Sequence, residues 1–222
     1  MLFRSTATQI QIPNSEGYDI LYYISGAYDY DESTGGDVED KIGWADKYGN
    51  YVGGKYDETE LKGAIPTGLA FWYKNLNGDT DWTHSGAVPS TDKPKRVDFP
   101  NNTFCLRSNP YPVNFNINDA KVDSTEIEPV DYDDDGMFKK TATQIQIPNT
   151  KGGYDTIYYI NGAYDYDEKS GQDVDDKTGW SDGAGNYVGG AYDETDLKGI
   201  VPVMQGFWVK GVKGASAITF GL

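Results

Sequence analysis

One stretch of this sequence is written twice. The nine residues TATQIQIPN begin at Thr6 and begin again at Thr141. Residues 6–74 align with residues 141–210 after one inserted glycine near Gly152, and about two-thirds of the aligned positions are identical. A repeat spacing of about 135 residues is the size of a domain and exceeds the period of a solenoid. We therefore expect tandem domains, each with its own core.

The segment between the two copies, about Val97–Gly136, occurs only once. Apolar and polar residues alternate in TFCLR around Phe104 and in VNFNIN around Phe115, which is typical of half-buried strands. The second copy follows this segment directly. The first copy lacks it, because Leu2 already aligns with Met137.

The composition favours β-structure, since 18 Tyr and 5 Trp accompany 27 Gly. The repeated TATQIQIP alternates in the same way, and no window carries a sustained helical period. The prediction is an all-β chain of two tandem β-sandwich-like domains that arose by internal duplication. Residues 1–97 form a first domain that lacks the N-terminal strands of the unit, and residues 98–222 form a complete second one.

The net charge is −16 and the isoelectric point is about 4.3. An acidic chain of this kind is repelled by nucleic acid and attracts divalent cations, so no nucleic-acid partner is expected. No stretch approaches the roughly 20 apolar residues of a membrane span, so no span is expected either.

The sharpest chemical motif is DYDDDG at Asp131–Gly136. Alternate carboxylates before a glycine turn suit calcium, which takes six to eight oxygen ligands. The motif resembles the first half of an EF-hand or dockerin loop, although Ala142 stands at the usual acidic twelfth position. The resemblance implies a calcium site with ligands from Asp131, Asp133, Asp135 and Met137. The alternative is an acidic, solvated turn.

A second candidate metal site is the repeated YDYDE, which supplies Asp29 and Asp31 in one copy and Asp165 and Asp167 in the other. On a strand, both aspartates of a pair point to one face and can hold a cation. The alternative is a solvated acidic surface that guards strand edges by repulsion.

Aromatic residues in the repeated loop GW.D..GNYVGG suggest sugar-stacking platforms built from Trp44 and Trp180 with Tyr51 and Tyr187. The alternative is that they belong to the core. For Trp72 and Trp208, which lie in strands beside phenylalanine, the core is the favoured interpretation.

The sequence does not favour an enzyme. His84 and Cys105 are the only histidine and the only cysteine, and neither is repeated in the other copy. A nucleophilic pair needs both residues together with an orienting group, and a zinc site needs a cluster of Cys and His.

SNPYPVNFNIND at Ser108–Asp119, followed by GFWVKG…ITF at Gly206–Phe220, resembles a recurring unit of bacterial cell-surface and secreted β-repeat proteins. The resemblance implies an extracellular or cell-surface location and a non-catalytic role.

Two functions are carried forward. The first is a structural, self-associating subunit or segment of a fibre or surface assembly. It would form a head-to-tail homo-oligomer or polymer by strand addition between subunits. The chain can equally be a fragment of a longer repeat protein. The second function is a calcium-assisted carbohydrate-binding or adhesion module with glycans as partners.

Overall fold

A computed structural model describes residues 7–14, 16–27, 30–31, 33–37, 41–53, 64–76, 90–124, 126–129, 137–163, 166–167, 169–173, 177–188 and 199–221. The chain is mostly β-strand in several largely antiparallel sheets, which confirms the all-β prediction. It divides into two compact units, Met1–Ala87 and Val88–Leu222. The boundary precedes the predicted one, because residues 95–98 pair within the second unit.

The first unit contributes six described strands. They are β1 Thr8–Asn14, β2 Gly17–Ala27, β3 Tyr30–Asp31, β4 Gly36–Asp37, β5 Lys41–Ala45 and β6 Trp72–Lys74. Four of them form an antiparallel sheet in the order β5-β2-β1-β6, and β3 pairs with β4 as a separate hairpin. The alternation predicted for TATQIQIP is present, since Ile10 and Ile12 are buried while Gln9 and Gln11 are half-buried.

The second unit contains thirteen described strands and one short helix. They are β7 Lys95–Asp98, β8 Phe104–Ser108, β9 Phe115–Asn116, β10 Ala120–Asp123, β11 Glu128–Pro129, α1 Phe138–Thr141, β12 Thr143–Pro148, β13 Tyr154–Ala163, β14 Tyr166–Asp167, β15 Gln172–Asp173, β16 Lys177–Ser181, β17 Ile200–Val201, β18 Gly206–Lys210 and β19 Ala217–Phe220. A 3-10 turn, Ile117–Asp119, joins β9 to β10.

The repeated sequence forms the same strand arrangement in both units. Strands β16, β13, β12 and β18 are paired in the order that β5, β2, β1 and β6 show in the first unit. The registers correspond, with Ile145 opposite Val209 where Ile10 lies opposite Tyr73. Both copies shift register at the same point of the long strand.

The segment that occurs once adds strands around this shared sheet. Strand β8 pairs with the outer edge of β18, and β9 pairs with β17. Strand β11 runs parallel to β13 at Ile160 and Asn161, where β16 holds the opposite edge, so β11 continues the line of β12. Strands β7 and β10 flank β19 in a separate three-stranded sheet.

One apolar cluster fills the second unit. The shared sheet contributes Ile145, Ile157, Tyr159, Trp180 and Phe207, among others, and the three-stranded sheet contributes Val97, Val122, Ile218 and Phe220. Side chains from two sheets therefore enclose a single core, as in a β-sandwich. In the first unit the corresponding cluster is smaller, with Ile10, Ile12, Leu21 and Val52 buried.

The NPYP stretch fastens the added segment. Asn109 Nδ2 donates to the carbonyl of Val113 at 2.8 Å and to that of Val201 at 3.1 Å. The Tyr111 hydroxyl contacts the Phe220 carbonyl at 2.9 Å. These bonds tie the segment to β17 and β19, so the motif acts as a structural anchor.

Among the described residues, no helix has both the length and the apolar character that crossing a bilayer requires.

Cys105 on β8 is half-buried and packs against the core of the second unit. Burial raises the pKa of its thiol. Because only the thiolate is nucleophilic, iodoacetamide should alkylate Cys105 more slowly than a free cysteine, and the rate should rise at higher pH. The control is the chain in guanidinium chloride, where the rate should become normal. An ordinary rate in the folded chain would contradict this placement of β8.

Candidate functional site

The shared sheet has an equivalent apolar face in both units, and part of that face is more exposed in the first unit than in the second. Tyr159 is 8% exposed, whereas its repeat counterpart Tyr23 is 48% exposed. Val209 is fully buried, whereas Tyr73 in the same place is 38% exposed. The difference lies in what surrounds the sheet, because the strands and registers are alike.

Two further positions behave in the same way. Val201 on β17 is fully buried where β17 pairs with β9, but its counterpart Ile65 is 36% exposed and lies outside any strand. Trp180 is fully buried, whereas Trp44 is only partly buried against the smaller cluster. We call the exposed or half-exposed set the open surface, and it consists of Tyr23, Trp44, Ile65, Phe71 and Tyr73.

An aromatic pair lies at the centre of this surface. The rings of Tyr23 and Trp44 have centroids 5.3 Å apart, and those of Tyr159 and Trp180 lie 5.1 Å apart. In the second unit Trp180 of this pair also donates a hydrogen bond, from Nε1 to the Ala120 carbonyl at 3.0 Å. Ala120 belongs to the segment that the sequence contains once. The ring contact therefore forms within each copy of the repeat, whereas the residues that bury the pair in the second unit come from outside the repeat.

The four residues of the predicted sugar platform have different environments in the structure. Trp180 is enclosed in the core, so neither face of its indole ring is available for stacking. The loop around it is a turn held by Asp182, whose Oδ1 accepts the backbone N–H of Ala184 at 2.8 Å and of Asn186 at 3.0 Å. Asp46 holds the equivalent turn in the first unit.

Tyr51 and Tyr187 are half-buried over the two glycines of the repeated GW motif. A β-carbon on Gly43 would collide with the ring of Tyr51, and one on Gly179 with the ring of Tyr187. The spacing of GW and GNY therefore has a packing reason. Of the four proposed aromatic ligands, Trp44 alone is part of the open surface, and carbohydrate binding there stays a prediction.

The favoured core placement of Trp72 was wrong, since Trp72 is 43% exposed. Its strand alternates, so Phe71 and Tyr73 take the inner face and Trp72 the outer one. Trp208 is half-buried on the corresponding outer face, and Phe207 is the residue that enters the core.

The DYDDDG motif lies outside the described residues, and so do Asp131, Asp133 and Asp135. Met137 follows it at the start of α1, where its carbonyl accepts the N–H of Lys140 at 3.1 Å. Calcium binding by this motif therefore stays a prediction.

The second acidic site is described in part. Asp29 and Asp165 lie outside the described residues, and only the backbone of Asp167 is described, as part of β14. The Asp31 carboxylate accepts the N–H of Ser33 at 2.9 Å and its hydroxyl at 2.7 Å, which stabilises the turn between β3 and β4. Within the described part of the chain, no three His, Cys, Asp or Glu side chains form a group that could hold a metal ion.

Sequence reasoning missed Tyr23 and Tyr73 as surface residues. Their position was available from the alternation in YDILYYI and AFWYK, which puts them on the inner face. That pattern predicts core residues, so the exposure of Tyr23 and Tyr73 was not available from the sequence.

Matched substitutions of the two tyrosines test this asymmetry. Tyr159→Ala removes a buried ring and should lower the free energy of unfolding of its unit by about 3 kcal/mol. Tyr23→Ala removes a ring that is already half in water, so the loss should be about 1 kcal/mol or less. Urea unfolding measures both values, and equal losses would mean that the first-unit face is covered as well.

Comparison of the chain with protein-family models, with curated proteins and with solved structures found no match in any of the three.

Proposed function

We propose that this chain is a non-catalytic structural protein, a subunit or segment of an extracellular fibre or surface assembly. In this proposal it associates through the open surface of the first unit, which takes up strands from a neighbouring molecule. The observation that supports the proposal is the contrast between the two copies. One sheet face is core in the second unit, and its counterpart in the first unit exposes Tyr23 and Tyr73.

The size of the exposed side chains argues that the surface binds something. Single exposed apolar residues are ordinary, whereas grouped ones mark interaction sites. Here Tyr23 and Tyr73 lie on one face of one sheet, and Ile65 lies outside the strands. All three occupy positions whose counterparts in the second unit are core residues. An extended partner that adds strands is the natural cover, because strands cover the equivalent face of the second unit.

The environment of Cys105 supports the proposed non-catalytic role. Cys105 is half-buried against the core, with a thiol pKa raised by burial. This is the environment of an inert structural cysteine and is opposite to that of a reactive one. The extracellular location is proposed from the resemblance of the NPYP and GFWVK units to those of bacterial surface repeat proteins.

Association is tested by sedimentation velocity of the full chain between about 1 and 100 µM. We expect the sedimentation coefficient to rise with concentration. Tyr23→Asp should abolish that rise, because it places a charge in the middle of the open surface. Tyr18 is a matched control, since it is 50% exposed and lies on the same strand with the opposite facing.

The Tyr18→Asp variant should associate as the unmodified chain does. A chain that stays monomeric over the whole range would contradict the proposed assembly. Equal loss of association in both variants would place the interface elsewhere.

Calcium is proposed as a stabilising ion at DYDDDG. A ligand that binds only the folded state raises the melting temperature by mass action. We expect millimolar calcium to raise it by a few degrees, EDTA to reverse the change, and the double variant Asp133→Asn/Asp135→Asn to show no response. A melting temperature indifferent to calcium and EDTA would end this part of the proposal.

A further inference from the structure

We infer that the second unit carries a contact surface of its own, through which the second units of two copies of this chain pair. The surface is built from the turn that opens β18 and from the loop before β9. We call it the apolar tip, and it consists of Val113, Ile200, Val203 and Met204. It goes beyond the contact proposed for the first unit, because all its residues belong to the second unit.

The tip groups exposed apolar side chains on two adjacent loops. Its four side chains are between 37% and 62% exposed. One amide joins the loops, because Asn109 Nδ2 donates to the Val113 carbonyl at 2.8 Å and to the Pro202 carbonyl at 3.2 Å. Asn114 Oδ1 accepts the backbone N–H of Val203 at 3.0 Å. Grouped apolar side chains that are held in place at the surface mark interaction sites.

The turn of the tip, residues 202–205, has an equivalent at residues 66–69 of the first unit. In both turns the N–H of the fourth residue donates to the carbonyl of the opening proline at 3.1 Å. The third residue has a positive φ in each, 83° at Gly68 and 59° at Met204. Glycine adopts this conformation without a steric cost, whereas a side chain there strains the backbone. The second unit therefore has a strained turn whose methionine is 62% exposed.

The residue before this methionine differs between the copies in the same sense. Thr67 of the first unit is replaced by Val203 in the second, and both are exposed. An apolar side chain that stays in water contributes little to folding, since the hydrophobic effect scales with the area that is buried. Two apolar replacements in one exposed turn, one of them strained, therefore indicate contact with another molecule.

The tip is uncharged in a strongly acidic chain. The segments that build it, residues 108–118 and 199–209, contain no Asp, Glu, Lys or Arg, although 24% of the chain is charged. Two chains with a net charge of −16 repel each other, and an uncharged patch lets them approach at the least electrostatic cost. Charge therefore favours a second copy of this chain as the occupant.

The rim of the tip is self-complementary. Within the described residues, Asn114 uses its Oδ1 as an acceptor and Gln205 uses Nε2 as a donor to the Gly206 carbonyl. The Nδ2 donor of Asn114 and the Oε1 acceptor of Gln205 remain for a partner. In a two-fold contact each copy offers both groups, so Asn114 of either chain can donate to Gln205 of the other.

The size of the tip limits the strength of pairing. Four partly exposed side chains cover well under the about 800 Å² per partner of a standard interface. Pairing of free chains is therefore expected in the millimolar range, above the concentrations at which association through the first unit is expected. In a polymer the tip recurs along the assembly, so paired tips join polymers side by side through avidity, a role that rests on the proposed function.

The test is NMR of the full Tyr23→Asp chain with ¹³C-labelled methionine methyl groups, between about 0.05 and 2 mM. The Met204 signal should move with concentration and give a dissociation constant of about 1 mM. The Met137 signal is the internal control, because Met137 is 55% exposed in the same unit outside the tip, and it should stay fixed. Sedimentation equilibrium at the highest concentration should detect dimers.

Two variants of the tip and one control complete the experiment. Val203→Asp should make the Met204 signal independent of concentration. Val203→Thr/Met204→Gly restores the residues of the first copy and should remove the dimer in sedimentation without lowering the melting temperature, since glycine relieves the strained φ. Ile42→Thr removes a 65% exposed side chain from the first unit and should leave the dimer unchanged.

A Met204 signal that stays fixed up to about 2 mM, or a dimer that survives Val203→Thr/Met204→Gly, would overturn the inference. If this occurs while the unmodified chain still associates through Tyr23, pairing at the tip is wrong and the proposed assembly stands. If the tip pairs but the unmodified chain shows no association through Tyr23, the tip is right and the proposed contact of the first unit is wrong.

Discussion

The second unit depends on the burial of one face of its largest described sheet under strands that come from outside the repeat. Tyr159, Trp180, Phe207 and Val209 reach low exposure because the three-stranded sheet and the NPYP segment close over them. The hydrophobic effect scales with apolar area removed from water, so this cover contributes much of the stability of the unit. The first unit has the same sheet without that described cover.

Comparison of the two copies separates what the repeated sequence specifies locally from what depends on residues outside the repeat. Turn chemistry is local, because Asp46 and Asp182 hold equivalent turns with the same set of hydrogen bonds. The register shift of the long strand and the ring contact of the tyrosine–tryptophan pair are local as well. Burial is not local, because it depends on the segment that occurs once. Two sequences that are about two-thirds identical therefore end in different environments.

Much of the fold was available from the sequence. Alternation in TATQIQIP and TFCLR predicted strands that the structure contains as β1 and β8. The strand predicted from VNFNIN is shorter than expected, because only Phe115–Asn116 pairs, as β9, and Ile117–Asp119 forms a 3-10 turn. The strand KRVD, which forms β7, was not available from the sequence, because four residues are too few to show a period. Its membership in the second unit comes from pairing with β19, about 120 residues away in the sequence.

The candidate site was harder to predict, because it consists of side chains that are exposed where the equivalent side chains of the second unit are buried. Tyr23 and Tyr73 have the pattern of core residues, and pattern alone cannot say that a core residue lacks its cover. The burial of Trp44 and Trp180 was not predictable from the sequence either. The same loop sequence gives a half-buried indole in one unit and a fully buried one in the other. Only the comparison of the two copies, with and without the NPYP segment, distinguishes these cases.

The central claim is that equivalent tyrosines of the repeat differ in exposure because only one of them is covered. Hydroxyl-radical footprinting of the dilute full chain, read out by peptide mass spectrometry, measures this difference directly at Tyr23 and Tyr159. The account predicts rapid oxidation of Tyr23 and strong protection of Tyr159. Equal protection of the two residues in the dilute chain would contradict it, because the first unit would then already possess a closed core.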